Sequence, residues 1–251
     1  MILDEILQKT RQRVANLPSS FPEEPKRDMV SLAAAIRNRN GKNAIIAEIK
    51  CASPSRGVIR RNVDMAMMAG VLGEGGCVAL SVLTEPFFFG GSGSDIRQVK
   101  SSVNLPVLRK DFIIDERQIA ESRALGADAV LLIAAILKQN LPDFVDQVRD
   151  FGLEPLVEIR TPEEAETALS TKAALIGINN RDLTTLTIDR STTRRISGQV
   201  RGSDRIIVSE SGMHSADDIR EMKPYCDAFL IGSSLMSHHQ PRKKLEEFVC
   251  A

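Results

Sequence analysis

The chain has 251 residues, 43% of them apolar and 26% charged, with 33 Lys plus Arg against 33 Asp plus Glu. That composition suits one large globular domain or two small ones, and the zero formal net charge removes the field that would draw it to nucleic acid or an acidic membrane. With no Trp, one Tyr and no apolar run of 18 residues, neither a base-stacking surface nor a membrane span is expected, and the protein is read as soluble and cytoplasmic.

The opening stretch MILDEILQKTRQRV places Ile2, Leu3, Ile6, Leu7 and Val14 at helical spacing, and its acids are unlike a signal peptide. Residues 17–25 are broken by Pro18, Pro22 and Pro25 and read as a linker. A second short helix is predicted over 31–39, stopped by Asn40-Gly41. From residue 44 a rhythm of β-rich apolar run, polar loop and helical pattern repeats eight times. The runs lie at 44–50, 78–83, 106–110, 129–133, 154–159, 175–179, 206–209 and 228–232. Helical patterns follow at 64–74, 94–102, 116–125, 138–150, 162–170, 189–197, 215–222 and 241–249. Thr161-Pro162-Glu163-Glu164 supplies a helix cap, a first-turn proline and acids at the positive end, and Gly126 supplies a stop.

Near-continuously apolar strands alternating with helices imply a parallel sheet, and eight such units close on themselves. The expected fold is α/β, a (β/α)8 TIM barrel with an N-terminal helical extension: one domain over 1–251, of which 1–43 form a cap. An open doubly wound sheet is the alternative. It usually carries a Gly-rich dinucleotide turn after its first strand, where CASPSRG stands here.

Barrel chemistry sits at the C-terminal strand ends. The first run ends in Glu48 and Lys50, two apart and so on one face of a strand. Burying such a pair is costly, which is unusual for a purely structural strand. Polar groups end most other runs: Ser81 and Thr84-Glu85, Arg109-Lys110-Asp111, Glu158, Asn179-Asn180-Arg181-Asp182, Ser209-Glu210-Ser211-Gly212 and Gly232-Ser233-Ser234. The small residues after the last two strands let backbone N–H groups approach an anion, or else are ordinary tight turns. With Lys50 and Lys110 at the same mouth they point to an anionic, phosphorylated substrate. Phe87, Phe88 and Phe89, with Phe112, Leu131, Leu183 and Leu186, are read as an apolar slot for a flat ring or as loop packing. Cys51, Cys77, Cys226 and Cys250 form no C-x-x-C pair and no metal spacing with His214, His238 or His239, so reduced, mostly buried thiols and no metal are expected.

The ordered motifs EIKCASPSRG, SVLTEPFFFGGS, VLRKDFIID, GADAVLLIAAIL, GLEPLVEI, IGINNRDL, VSESGM and FLIGSSLM resemble the indole-3-glycerol-phosphate synthase family of tryptophan biosynthesis, from about residue 30 to the end. The resemblance implies a carboxy-lyase that closes the pyrrole ring of 1-(2-carboxyphenylamino)-1-deoxyribulose 5-phosphate, losing carbon dioxide and water, without metal or coenzyme. By similarity Lys110 is the general acid and Lys50 the second lysine, with Glu158 serving dehydration and Glu48 deprotonation. The resemblance further implies substrate-binding roles for Ser53, Asn179 and Arg181 near the carboxylate and for Phe89, Phe112, Leu131 and Leu183 around the ring. Glu210 then supports the lysines, and Ser211, Gly212, Gly232 and Ser233 form a phosphate cradle. Cys51 stands where many members carry a basic residue, and Phe87 where a polar one is common. The implied partners are the small phosphorylated substrate and, beyond it, other tryptophan-pathway enzymes.

Two other readings stay open on the sequence. Another phosphosugar barrel, such as phosphoribosylanthranilate isomerase, needs an Asp and Cys pair at opposed strand ends, and Cys51 falls one position past Lys50. A catalytically silent, metabolite-binding barrel needs only the glycine turns; this chain has the Lys and Glu residues as well.

Overall fold

The computed structural model describes residues 2–21 and 29–251. Eight parallel strands close into a barrel: β1 (Ala44–Ile49), β2 (Ala79–Leu83), β3 (Val107–Lys110), β4 (Ala129–Ile133), β5 (Glu154–Ile159), β6 (Leu175–Asn179), β7 (Ile206–Glu210) and β8 (Ala228–Ile231). Closure is made by β8 pairing with β1 in the register Ala44 with Ala228 through Ala47 with Ile231. Side-chain alternation then sorts every strand. Ile45, Ala47 and Ile49 pack outward against helices, whereas Ala44 and Ile46 belong to the inner cluster and Glu48 follows them inward.

The same alternation sets Lys110 inward and its neighbour Arg109 outward. Arg109 is 1% exposed and donates to Thr84, Ser122, the Gln118 carbonyl, Asp111 and Glu121 between sheet and helices. Of the polar cluster ending β3, therefore, Arg109 is a buried strut and no part of the mouth. Ser209 likewise turns away, to Asn180 and Thr193.

The N-terminal extension braces the barrel at both ends. Helix α1 (Ile2–Ala15) is latched by Arg13, which reaches both oxygens of Asp111 at 2.8 Å. Helix α2 (Leu32–Arg37) is capped by Ser31 and by Glu154 from the start of β5, which accepts from Ser31 Oγ and from the N–H of Leu32 and Ala33. Its Leu32 and Ile36 join the inner cluster with the strand-start residues Ala44, Ala129 and Ala228, closing the bottom. The linker read over 17–25 falls, from residue 22 on, outside the described residues.

Differences from the expected elements have local causes. The helix read over 138–150 is a 3-10 turn Lys138–Asn140 followed by the helix Leu141–Asp150 with Pro142 in its first turn, and a short helix Ala134–Leu137 precedes it, ended by Lys138 at φ 51°. The helix read over 189–197 runs Ser191–Val200, since buried Ile196 and Val200 share one face and outweigh Gly198. A two-residue hairpin, Ala52–Ser53 with Gly57–Val58, and a short helix Ser233–Met236 have no periodicity long enough to be read from sequence. Cys77 and Cys226 are buried, but Cys51 is half-buried and Cys250 exposed, so the thiols are less sequestered than expected. Among the described residues, no helix is long and apolar enough to cross a membrane.

Candidate active site

Four strands deliver the charged groups. Glu48 from β1, Lys110 from β3, Glu158 from β5 and Glu210 from β7 all hold inward positions at or near the C-terminal strand ends, and Lys50 follows β1. Lys110 Nζ lies 2.5 Å from Glu210 Oε2 and 3.8 Å from both Glu158 Oε2 and Glu48 Oε1. The other Glu48 oxygen accepts from Lys50 Nζ at 2.5 Å, so one carboxylate bridges the two lysines.

Three carboxylates face two ammonium groups in a buried place, which leaves one negative charge in excess. Burial works against a charged Lys110, but Glu210, Glu48 and Glu158 outweigh it and raise its pKa, holding the ammonium protonated. Burial likewise opposes ionised Glu48, yet Lys50 and Lys110 hold its pKa below the usual carboxylate range. Glu210 carries the excess. Burial first, with Glu158 and Glu48 adding to it against Lys110, pushes it up to about 7.

A stability signature follows. The folded Glu210 keeps a proton that the unfolded chain, with a carboxyl near 4.5, has released. Its contribution is therefore complete below the unfolded value and lost as pH rises through about 7. Urea titrations at pH 6 and pH 8 should show wild type losing more stability across that interval than Glu210→Gln; parallel losses would mean that Glu210 titrates normally.

Two glycines make room for these carboxylates. A Cβ on Gly177, at an inward position of β6, would lie 2.2 Å from Glu210 Oε1, and one on Gly232 would lie 2.0 Å from Glu48 Oε2. Gly232 has φ −121°, so no left-handed turn demands a glycine there; the Glu48 side chain does. By contrast Ser211 and Gly212 are left-handed, with φ of 65° and 90°.

The cavity above the charges is lined by Phe89, Phe112, Leu131 and Leu183, and also by Ser211, Gly212, Gly232 and Ser233. Phe89 is aimed by buried Glu85, whose carboxylate accepts from the N–H groups of Phe87, Phe88 and Phe89. Its ring centroid lies 6.2 Å from that of Phe112. Phe87 does not join the slot: it is 56% exposed, with Lys9 over its ring. Arg181 donates to the Leu186 carbonyl at 2.9 Å and to Ser55 at 3.3 Å, holding the hairpin loop near the mouth. Asn179 Oδ1 accepts from Arg181 N and from Ser211 Oγ, tying the β6 and β7 ends together.

Two of the implied site residues stand outside the cavity itself. Glu210 is fully buried beneath Lys110 and does not line the cavity, because its inward strand position puts the lysine between it and the opening. Ser53 lies in an adjoining recess with Leu186 and with Ile2, Leu3 and Ile6 of α1, because the hairpin folds it under the helix; its hydroxyl has no hydrogen-bond partner among the described residues. Sequence reasoning passed over Arg56 and His214, which line the cavity as Ser234 of the anion turn also does, and Gly177. Arg56 stood in the quoted SPSRG stretch, but no periodicity gives a loop side chain its direction.

Comparison with known proteins gives one family. Residues 3–248 match the family model described as indole-3-glycerol phosphate synthase. Proteins of that name from Caldanaerobacter subterraneus subsp. tengcongensis and Methanocaldococcus jannaschii are 43% and 40% identical, the alignments covering 99% of this chain and 98% of each relative. Among solved structures, a tryptophan synthase chain from M. tuberculosis superposes with a TM-score of 0.66 at 14% identity, over 88% of this chain and 98% of that one. A thiamine phosphate pyrophosphorylase from Pyrococcus furiosus gives 0.60 at 19% identity, over 85% and 95%. At such identities these structures show the barrel alone.

Proposed function

Since the chain belongs to the indole-3-glycerol phosphate synthase family, we propose that its two lysines and three glutamates carry out the ring closure at the barrel mouth. The reaction converts 1-(2-carboxyphenylamino)-1-deoxyribulose 5-phosphate to indole-3-glycerol phosphate, carbon dioxide and water. The observation that carries the site assignment is the placement of Lys110 Nζ within 4 Å of three carboxylates on three other strands, beside an aromatic-lined cavity.

In the first step the aromatic carbon bearing the carboxylate attacks the ribulose carbonyl, and negative charge develops on its oxygen. Lys110 donates a proton there; its carboxylate neighbours keep it charged until that moment. Loss of carbon dioxide returns its bonding electrons to the ring and restores aromaticity. The hydroxyl then leaves as water with a proton delivered by Glu158, and Glu48 removes a proton from the adjacent ring CH2, whose C–H electrons form the double bond of the indole. Lys50 holds Glu48 and the substrate carboxylate in one field. Phe89, Phe112, Leu131 and Leu183 clamp the anilino ring and exclude water, which strengthens the charges beside it.

Arg181 and Asn179 face the substrate's carboxylate end, with Ser53 in the recess next to them. A planar guanidinium suits a carboxylate, and among the described residues Arg181 Nη1 donates to neutral acceptors, Leu186 O and Ser55 Oγ. Arg181→Ala should raise KM by about tenfold, the scale of one hydrogen bond to a charged group. An unchanged KM would remove Arg181 from that contact. Ser211, Gly212, Gly232 and Ser233 take the phosphate, helped by the uncapped start of the helix Ser233–Met236. A substrate and product that are both charged and water-soluble support a cytoplasmic location. The direct test supplies the carboxyphenylamino sugar phosphate without added metal or coenzyme and follows indole absorbance; no absorbance change from folded protein would refute the assignment.

A further inference from the structure

His214 is the one histidine at the cavity. Its backbone N–H donates to Asp218, the residue that closes the capping box of the helix Ala216–Met222, so its Cα is fixed relative to the Ser211-Gly212 turn. Its ring Nδ1 lies 3.0 Å from Ser234 Oγ. Ser234 has a single hydroxyl proton and gives it to the Met213 carbonyl at 2.5 Å. Toward the imidazole Ser234 is therefore the acceptor, and Nδ1 carries the hydrogen. That leaves Nε2 as the ring's remaining polar edge. A neutral ring presents a lone pair there, and a protonated ring presents a donor.

A phosphate dianion has only acceptors to offer. We propose that His214 is a proton-linked, specificity-determining contact for the phosphate end of the substrate, bridging the turns after β7 and β8 and taking up a proton as the dianion binds. This rests on the reading of Ser211, Gly212, Gly232 and Ser233 as the phosphate cradle. The charged groups around the ring fit the role. Arg56 comes from the hairpin loop, Arg181 from the loop after β6, Arg190 from the start of the helix Ser191–Val200, and Asp218 from the next helix. Asp189 and Arg194 border the same outer surface, and Glu221 pairs with Arg190 and Arg194. Burial and the three arginines lower the imidazole pKa from its ordinary 6.5, against Asp218. Without a ligand the ring is thus mostly neutral at pH 7, and an arriving dianion reverses the balance.

Sulfate is the suitable probe, because it stays doubly charged at pH 6 and pH 8 whereas a phosphate monoester titrates near 6. With three histidines in the chain, the imidazole carbon-bound protons of His214 can be assigned by substitution and followed by NMR. In wild type, His214 should titrate below 6.5 when free and about one pH unit higher under saturating sulfate; by linkage, sulfate should bind up to about tenfold tighter at pH 6 than at pH 8. His214→Gln should bind sulfate weakly at both values, and its KM for substrate should rise. His214→Lys, which keeps a cation throughout, should bind with little change between them. A wild-type ring whose titration ignores sulfate, or a Gln variant that keeps the full wild-type pH dependence of sulfate binding, overturns the role of His214 while leaving the cradle intact, provided sulfate competes with substrate. If sulfate and inorganic phosphate fail to compete with substrate, the cradle reading falls, and this inference with it.

Discussion

Lys110→Ala should lower kcat by about 10² to 10⁴, the scale of a general acid, in a protein that still folds. The side chain sits at the mouth, 16% exposed, and makes no contribution to the packed strand bodies below. What it supplies is a proton and a fixed positive charge where the carbonyl oxygen becomes an alkoxide. Lys50 is not a substitute, because it is tied to Glu48 at 2.5 Å and follows a strand that lies two places from β7 and four from β5 around the barrel. The variant leaves Glu48, Glu158 and Glu210 facing each other with one ammonium fewer, so thermal unfolding should be recorded beside turnover. Turnover within a factor of a few of wild type would remove Lys110 from the chemistry.

Gly232→Ala should also damage turnover, by about 10², the order expected when a reacting group is displaced by about 1 Å. The backbone at φ −121° is not left-handed, so no positive φ calls for a glycine here. The added Cβ, however, would meet Glu48 Oε2 at 2.0 Å, its Cδ at 2.8 Å and its Cβ at 3.0 Å. Turning the carboxylate relieves only the first contact, so the whole side chain must shift and both lysines lose their shared partner. The measurement separates two reasons for a glycine at this position. If it only lets the backbone approach phosphate, KM rises and kcat holds; if it seats Glu48, kcat falls first. A variant with both constants unchanged would contradict both.

Much of the scaffold was legible because it follows from local periodicity. The run 129–133 matches β4 to the residue, and 154–159 matches β5. Thr161 caps its helix through the N–H of Glu164, and Gly126 stops its helix in the left-handed conformation, as their residue types imply. Segments too short to show a period were not legible, such as the 52–58 hairpin that carries Arg56. Nor was the outward turn of Arg109 foreseen, although the two-residue alternation that sets Lys110 inward requires it.

By itself the sequence determined that eight apolar strands alternate with helices and that Glu48 and Lys50 share a face, since both depend on spacing within one segment. Only the tertiary structure decided that Lys110 meets Glu210, a hundred positions later, at 2.5 Å, that Glu48 serves two lysines, and that a Cβ on Gly177 or Gly232 would collide with a carboxylate. Those relations cross the barrel from β3 to β7, from β1 to β3, from β6 to β7 and from β8 to β1. They are fixed by the closed register of strands that have no neighbourhood in sequence, which side-chain periodicity along any one of them does not contain.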